Sequence, residues 1–491
     1  MDGRPVAAVG DAPGRRVRAT VRALVLGAIA LAEVCAIPAA GQSADEHAVF
    51  GQASAPPAAA GRRYRAEVWP RPVPSQPLPP RGAWFDARPG DDLPALLASL
   101  PAGACLRLTP GVHRGPLRLT RPVTVWGTPE AVIRSSGTGT TVEVRADSVS
   151  LLGFAVEGSG RRFDTTDAAV GVYADHVRIE GLHVSDALFG ITVEDAGDVR
   201  IRGSVITGLG GRDLGLRGDA IRFWEVRDSA IADNLILDSR DVVIWYSPGN
   251  QVSGNFVEGG RYGVHYMYSH RNAAIGNTFL GNLVGIFVMY SDTVEIRANR
   301  LAFADPTGGM GLGVKESGEL VATDNLFLAN RHGVYLDASP LQRHHRNVLA
   351  RNSFLFCATG ISFHRSGENS RIADNEFRDC GAPARIDGGG DALRVAWEGN
   401  RFDDYQGYDL DHDGIGDVPY ELHRLSDRLT ANREDLEFFH GTPALALLDL
   451  VGRILPLLTP ALVMRDPAPR LGSAFPPAAA WLAGQEAVDA R

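Results

Sequence analysis

Between Gly190 and Ser366 a five-residue phrase recurs, and it limits what this chain can become more than any other feature. It reads Gly190-Ile191-Thr192-Val193-Glu194, Ala220-Ile221-Arg222-Phe223-Trp224, Asp241-Val242-Val243-Ile244-Trp245, Gly263-Val264-His265-Tyr266-Met267, Gly285-Ile286-Phe287-Val288-Met289, Gly311-Leu312-Gly313-Val314-Lys315, Gly333-Val334-Tyr335-Leu336-Asp337 and Gly360-Ile361-Ser362-Phe363-His364. Positions two and four are always apolar, and positions three and five vary. Alternation with a period of two is the pattern of a strand with one buried face.

Two further registers run in phase with the phrase. Asn234, Asn255, Asn277, Asn299, Asn325, Asn352, Asn375 and Asn400 follow one another at intervals of 21 to 27 residues. Ser247, Ser269, Ser291, Ser317, Ser339 and Ser366 each stand two residues beyond a copy of the phrase. Agreement of three registers at such a period marks a solenoid. The Leu-x-x-Leu-x-Leu frame of leucine-rich repeats is absent. The sequence therefore predicts an all-β fold, a single-stranded right-handed parallel β-helix of about ten coils over residues 83–402. At one coil per ~4.8 Å such a body is about 50 Å long.

A solenoid grows along one axis, so 491 residues do not require several cores. The 56 glycines suit a fold with many turns. The net charge is −9 and Lys315 is the single lysine, with no basic stripe, which argues against a nucleic-acid partner. Arg15, Arg16, Arg18 and Arg22 precede a mostly apolar run from Ala23 to Ile37, and Ala39-Ala40-Gly41 supplies small residues. Residues 1–40 thus read as an export signal. Cys357 and Cys380 sit at one offset, five residues past Asn352 and Asn375. They should stack on adjacent coils, either as a disulfide or as two thiols.

The flanks of the repeat have their own character. Residues 41–82 form a Pro/Ala-rich linker, poorly ordered or polyproline-like. Asp91 to Leu97 reads as a short helix that caps the open end of the solenoid. Ser339 to Asn347 inserts a loop carrying His344 and His345, and Asp305 to Met310 lengthens another coil. Insertions in solenoids gather on one face, often the binding face. Residues 403–440 connect onward through Asp409, Asp411, Asp413, Gly414 and Asp417, the front half of a calcium loop. Tyr420 stands where that loop would place its bidentate Glu, so a calcium site and a metal-free turn both remain open. Residues 441–465 are apolar, interrupted by Asp449, Arg453, Pro456 and Pro460. They read as a helical tail that docks on a membrane partner or lies at the bilayer surface, with packing on the solenoid as the alternative. Residues 466–491 read as a disordered end.

Equal positions of adjacent coils stack, so the phrase can be sorted into columns. The fifth column holds Trp224, Trp245, Met267, Met289, Lys315 and Asp337 on the outward face, and the third places His265 beside Met267. Tyr246, Tyr268 and Tyr290 form a neighbouring ladder. An apolar outward stripe of this kind marks an interaction surface. Two thioethers and an imidazole form a soft donor set for Cu(I). The candidate copper ligands are His265, Met267, Met289, His270 and Met310, with His344, His345 and His364 near enough in the repeat to join. A ligand-free apolar patch for protein contact fits the same residues. A polysaccharide lyase or hydrolase is the rival class on such a fold, and it would need clustered outward carboxylates with a base. The stripe lacks these at its centre, although its aromatic residues could stack on sugars. No nucleophile–base pair and no P-loop are present, so no catalytic residue is assigned. A passive surface solenoid is a third reading.

The coil Arg261-Tyr262-Gly263-Val264-His265-Tyr266-Met267-Tyr268-Ser269, the coil Gly285 to Ser291, the segment Gly407 to Tyr420 and the apolar tail together resemble the NosD family, over roughly residues 85–470. The resemblance implies a periplasmic, non-catalytic accessory protein of nitrous oxide reductase maturation. It implies copper received from a membrane-anchored chaperone and passed to the apo-reductase. It also implies a complex of ABC type, with a membrane permease and a cytoplasmic ATPase as partners and the tail docked on the permease.

Overall fold

The computed structural model describes residues 69, 71–82, 84–211, 213–304, 309–365, 367–387, 389–424 and 461–472. Three long parallel sheets run side by side, and each coil contributes one strand to each. Sheet one has 14 strands, from Trp84–Ala87 to Arg394–Glu398. Sheet two has 13, from Gly111–Arg114 to Arg401–Phe402, and sheet three has 12, from Leu117–Leu119 to Ala384–Ile386. The fold is the expected parallel β-helix, but longer than ten coils, about 60 Å at the spacing between parallel strands. The undercount has a physical cause. The first coils, before Asn234, lack the asparagine register that made the later ones legible.

The recurring phrase is the strand of sheet three. Val264, Ile286, Leu312, Val334 and Ile361 align in one inward column, and Tyr266, Val288, Val314, Leu336 and Phe363 in the next. All are buried in one continuous core. The glycine that opens the phrase is forced by close approach. A Cβ on Gly333 would lie 2.5 Å from the Phe354 ring and 2.6 Å from the Gly360 carbonyl.

The asparagine register lies at the turn between sheets one and two. Each amide oxygen accepts both the backbone N–H and the side-chain N–H of the preceding rung, as Asn352 Oδ1 does from Asn325 at 3.0 and 2.9 Å. Each side-chain N–H₂ also donates to a backbone carbonyl of the coil before, as Asn325 does to Ile296 at 2.8 Å. The ladder thus satisfies turn groups that the strands cannot reach. The serine register plays the same part at the turn between sheets three and one, with Ser269 N donating to Ser291 Oγ at 2.8 Å. Inside, Phe327, Phe354, Phe377 and Phe402 stack in line at centroid distances of 4.8, 4.8 and 5.4 Å.

Both ends are closed. Helix Leu93–Ser99 begins at Asp92, whose carboxylate accepts the Ala95 N–H at 3.0 Å, and Leu93 enters the core. At the other end the tail expectation needs correction. Residues Ala461–Asp466 are not helical but form a strand, antiparallel to Tyr420–Arg424. Tyr420 stacks on Phe402 at 3.8 Å, and Val463 and Met464 bury against the last coil. Asp466 takes the next place in the asparagine ladder, its Oδ2 accepting Asn400 N at 3.0 Å and Asn400 Nδ2 at 2.8 Å. Residues 466–472 are therefore ordered, and Arg470 pairs with Asp374 at 3.1 Å. The part of the apolar tail from 441 to 460 lies outside the described residues, as does the export signal. Among the described residues no helix is long and apolar enough to cross a membrane.

Residues 71–82 of the linker run over the turns that join sheets one and two. Ser75 N donates to the Gly203 carbonyl at 2.8 Å, Trp126 Nε1 donates to the Pro77 carbonyl at 3.0 Å, and Arg71 pairs with Glu258 at 2.8 Å. Gly153, Gly181 and Gly203, all with positive φ, leave room for Ser75 and Pro77. This part of the linker is bound to the solenoid, which corrects the expectation of poor order here.

Candidate functional site

Strand pairing places the columns as the repeat predicts. Glu194, Trp224, Trp245, Met267, Met289, Lys315 and Asp337 are successive partners across sheet three. The third column runs Thr192, Arg222, Val243, His265, Phe287, Gly313 and Tyr335. His265 and Met267 are on the outer face of one coil, and Met289 follows on the next.

The outer face is not open, however. His265 is only 5% exposed and Met289 6%. Tyr262 packs against the His265 ring at 4.8 Å, Phe287 stacks on it at 5.8 Å, and Trp245 meets it edge-on at 5.5 Å. Trp245 Nε1 donates to His265 Nδ1 at 3.2 Å, and His265 Nε2 lies 3.2 Å from Met289 Sδ. An indole N–H can only donate, so Nδ1 is the acceptor and the neutral ring carries its proton on Nε2, toward the sulfur. Burial, with help from the Arg261 charge, lowers the His265 pKa to about 3. The imidazole is thus neutral and available as a donor throughout the physiological range.

A buried charge network forms the floor beside this site. Asp219 binds Arg240 at 2.9 Å and Arg222 at 3.2 Å, and Asp241 binds Arg261 at 2.5 Å. Burial raises the Asp241 pKa. Burial pushes Asp219 up as well, but Arg240, Arg222 and Arg261 carry it below the ordinary carboxylate range. Arg261 lies over Tyr262 at 4.5 Å and Arg222 over Trp245 at 4.8 Å. The network therefore holds two of the three aromatic rings that enclose His265.

Beyond the fifth column the chain turns through a left-handed residue in each coil, with φ of 53° at Tyr246 and 50° at Tyr268 and Tyr290. This stacks the three phenol rings at 5.3 and 4.8 Å, nearly parallel. Tyr268 is 44% exposed, so the ladder forms an aromatic wall open to solvent beside Met267.

The other candidate ligands are distributed as follows. Met310 pairs in register with Val284 and His332, and its sulfur lies over Gly313 alongside Phe287. His270 stands past the tyrosine turn, where its Nδ1 accepts the Asp292 N–H at 3.0 Å. His364 Nδ1 is 3.2 Å from the Tyr335 hydroxyl. Of the five residues first considered for copper, the direct contact joins His265 to Met289, with Met267 as the register neighbour of Met289. The repeat pointed to these positions, but nothing in it announced the Trp245 bond, the enclosing rings or the ionic floor. Trp245 stands one rung before Met267 in the same column, and that was the available signal.

In the aspartate loop, Asp409, Asp411 and Asp413 offer oxygens within 4.8 Å of one another. Repulsion from Asp413 raises the Asp411 pKa. Asp417 is engaged elsewhere, its Oδ2 accepting the Leu410 N–H at 2.7 Å. Tyr420 is absorbed into the core stack, which explains why it departs from the calcium-loop pattern. Cys357 and Cys380 are neighbours in the stack and both are free thiols, bonded to the carbonyls of Phe327 and Phe354. The disulfide is not formed.

Residues 209–407, which contain the whole His265–Met289 region, match the family model of the periplasmic copper-binding protein NosD. The "Probable ABC transporter binding protein NosD" of Stutzerimonas stutzeri is 26% identical over 369 residues, which cover 72% of this chain and 83% of that protein. Its namesake from Pseudomonas aeruginosa is 31% identical over 135 residues, 26% of this chain and 31% of that one. Among solved structures, the A-module of the mannuronan C-5 epimerase AlgE4 from Azotobacter vinelandii is 14% identical and covers 57% of this chain and 88% of its own, with a TM-score of 0.39. That likeness is too distant to bear on chemistry. The match over residues 209–407 and the 26% identity over 72% of the chain make this chain similar to NosD proteins.

Proposed function

We propose that the chain is a periplasmic copper-handling scaffold. It receives Cu(I) from a membrane-anchored chaperone and passes it to the apo form of nitrous oxide reductase, as the periplasmic part of an ABC-type complex with a separate permease and ATPase. The observation that carries this reading is the contact between His265 Nε2 and Met289 Sδ at 3.2 Å, next to Met267. A neutral imidazole and a thioether are donors that suit Cu(I) and discriminate against hard ions.

The geometry also says what loading requires. A nitrogen and a sulfur that share one ion stand farther apart than 3.2 Å, roughly 3.5 Å or more with bonds near 2.0 and 2.3 Å. Met289 must therefore swing outward, which an unbranched thioether does easily. The Nε2 proton must leave or move to Nδ1, and in the second case the Trp245 N–H gives up its bond.

Cu(I) titration against a chromophoric chelator tests the reading. The wild-type protein should take up one tight equivalent, and Met267→Ala plus Met289→Ala should weaken it by at least about tenfold. Equal uptake by the two proteins would exclude this site. Calcium at Asp409, Asp411 and Asp413 is a structural part of the proposal, since a cation relieves the repulsion that raises Asp411. It predicts a melting temperature that rises with calcium and no longer does so in Asp411→Asn. In this reading the apolar residues 441–460 dock on the permease.

A further inference from the structure

We propose a second metal site on the turn face of the solenoid. It takes a borderline divalent ion such as Zn(II) or Cu(II) and is built from His345, Asp292 and His344. This inference is independent of the Cu(I) reading, which rests on the His265–Met289 contact beside Met267.

His345 enters from the inserted loop and its side chain is only 15% exposed. Its Nδ1 is buried and has no hydrogen-bond partner among the described residues. A buried ring nitrogen left in that state costs free energy, and it points to a group that belongs there. The nearest charged atom is Asp292 Oδ1, 3.6 Å away. That is too long for a hydrogen bond. It is close to the ~3.3–3.6 Å that separates two ligand atoms bound at about 2.0–2.2 Å to one tetrahedral ion.

The surroundings fix both ligands. Gly318 N donates to Asp292 Oδ1 at 2.7 Å and so aims the carboxylate. A side chain on Gly318 would lie 2.5 Å from His345 Nδ1, so glycine is what lets the imidazole sit there. On the far side His270 Nδ1 accepts the Asp292 N–H and stands 3.9 Å from Oδ2. It acts as a positioning residue, comparable to the outer partners that orient metal ligands elsewhere. His344 is exposed, its ring centroid is 4.5 Å from that of His345, and the proposal takes it as the third ligand. Two imidazoles and a carboxylate match zinc or copper(II), not the Cu(I) favoured by thioethers.

The test is Zn(II) titration of the untagged full chain in an Asp411→Asn background, which disables the aspartate loop, with competition by a chromophoric chelator. The melting temperature is followed with and without zinc. The expected result is one zinc equivalent that raises the melting temperature. His345→Ala and Asp292→Asn should each weaken it at least tenfold. Two results would overturn the proposal. One is zinc affinity in His345→Ala and Asp292→Asn equal to that of the background protein. The other is a variant that melts lower without metal yet keeps the full zinc-induced rise.

Discussion

His265 shows how much one residue's setting decides. Its column was readable from the repeat, and its outward direction followed from strand alternation. Its burial was not readable, because that depends on Tyr262, Phe287 and Trp245 meeting over one ring from three strands. The consequence is a base whose pKa falls to about 3. Such a group binds a proton in the unfolded chain below about pH 6.5 and refuses it in the folded one. Stability must therefore drop as pH falls from about 6.5 toward 3, and His332, lowered to about 3 by burial, adds to the effect. Replacing His265 with Phe should flatten part of that acid slope, measured by denaturant unfolding at a series of pH values. A slope unchanged by the substitution would mean that the ring is protonated in the native state. Nuclear magnetic resonance of the wild-type imidazole should likewise show no titration between pH 5 and 8.

At the scale of the element, the ladders carry the structure. Asn325 is fully buried, and its side chain links the rung on either side of it through Ile296 and Asn352. Asn325→Ala should cost on the order of 2–4 kcal/mol, because it strands a buried carbonyl and a backbone N–H as well as removing its own bonds. Equilibrium unfolding measures this, and a loss below about 0.5 kcal/mol would show that water replaces the ladder. The asparagine register was plain in the sequence up to Asn400. Its last member was not, because Asp466 comes 66 residues later and from a strand that runs the other way. Burial raises the Asp466 pKa. A carboxylate raised on folding penalises the native state once it ionises, so its contribution falls as pH climbs from about 3.9 through the folded value. The stability difference between wild type and Asp466→Asn should accordingly shrink or reverse toward neutral pH. A difference that grows with pH would contradict this account.

Across the whole molecule, the solenoid separates the repeating elements of stability from the exceptions proposed as sites. Core columns, stacked phenylalanines and polar ladders repeat from coil to coil. The His265 and Met289 coils depart from the pattern on one outer face, and the neighbouring turn adds the inserted loop with His344 and His345. That division explains why the fold was legible in the sequence and the sites only partly so. A repeat announces itself by recurrence, whereas a site is a set of exceptions whose distances appear only when coils are stacked. Both closures of the body were half-visible. The N-terminal helix followed from its acidic start at Asp91 and Asp92, while the closing strand Ala461–Asp466 was hidden at the end of an apolar run that reads as helix.

The central claim is that copper(I) is held by sulfur and imidazole together on this face. X-ray absorption at the copper edge, on protein loaded with one equivalent of Cu(I), addresses it most directly. The account predicts a low-coordinate ion with both thioether sulfur and imidazole nitrogen in its shell, and loss of the sulfur component in Met267→Ala plus Met289→Ala. A shell of oxygen and nitrogen alone, identical in the wild type and the double variant, would contradict it.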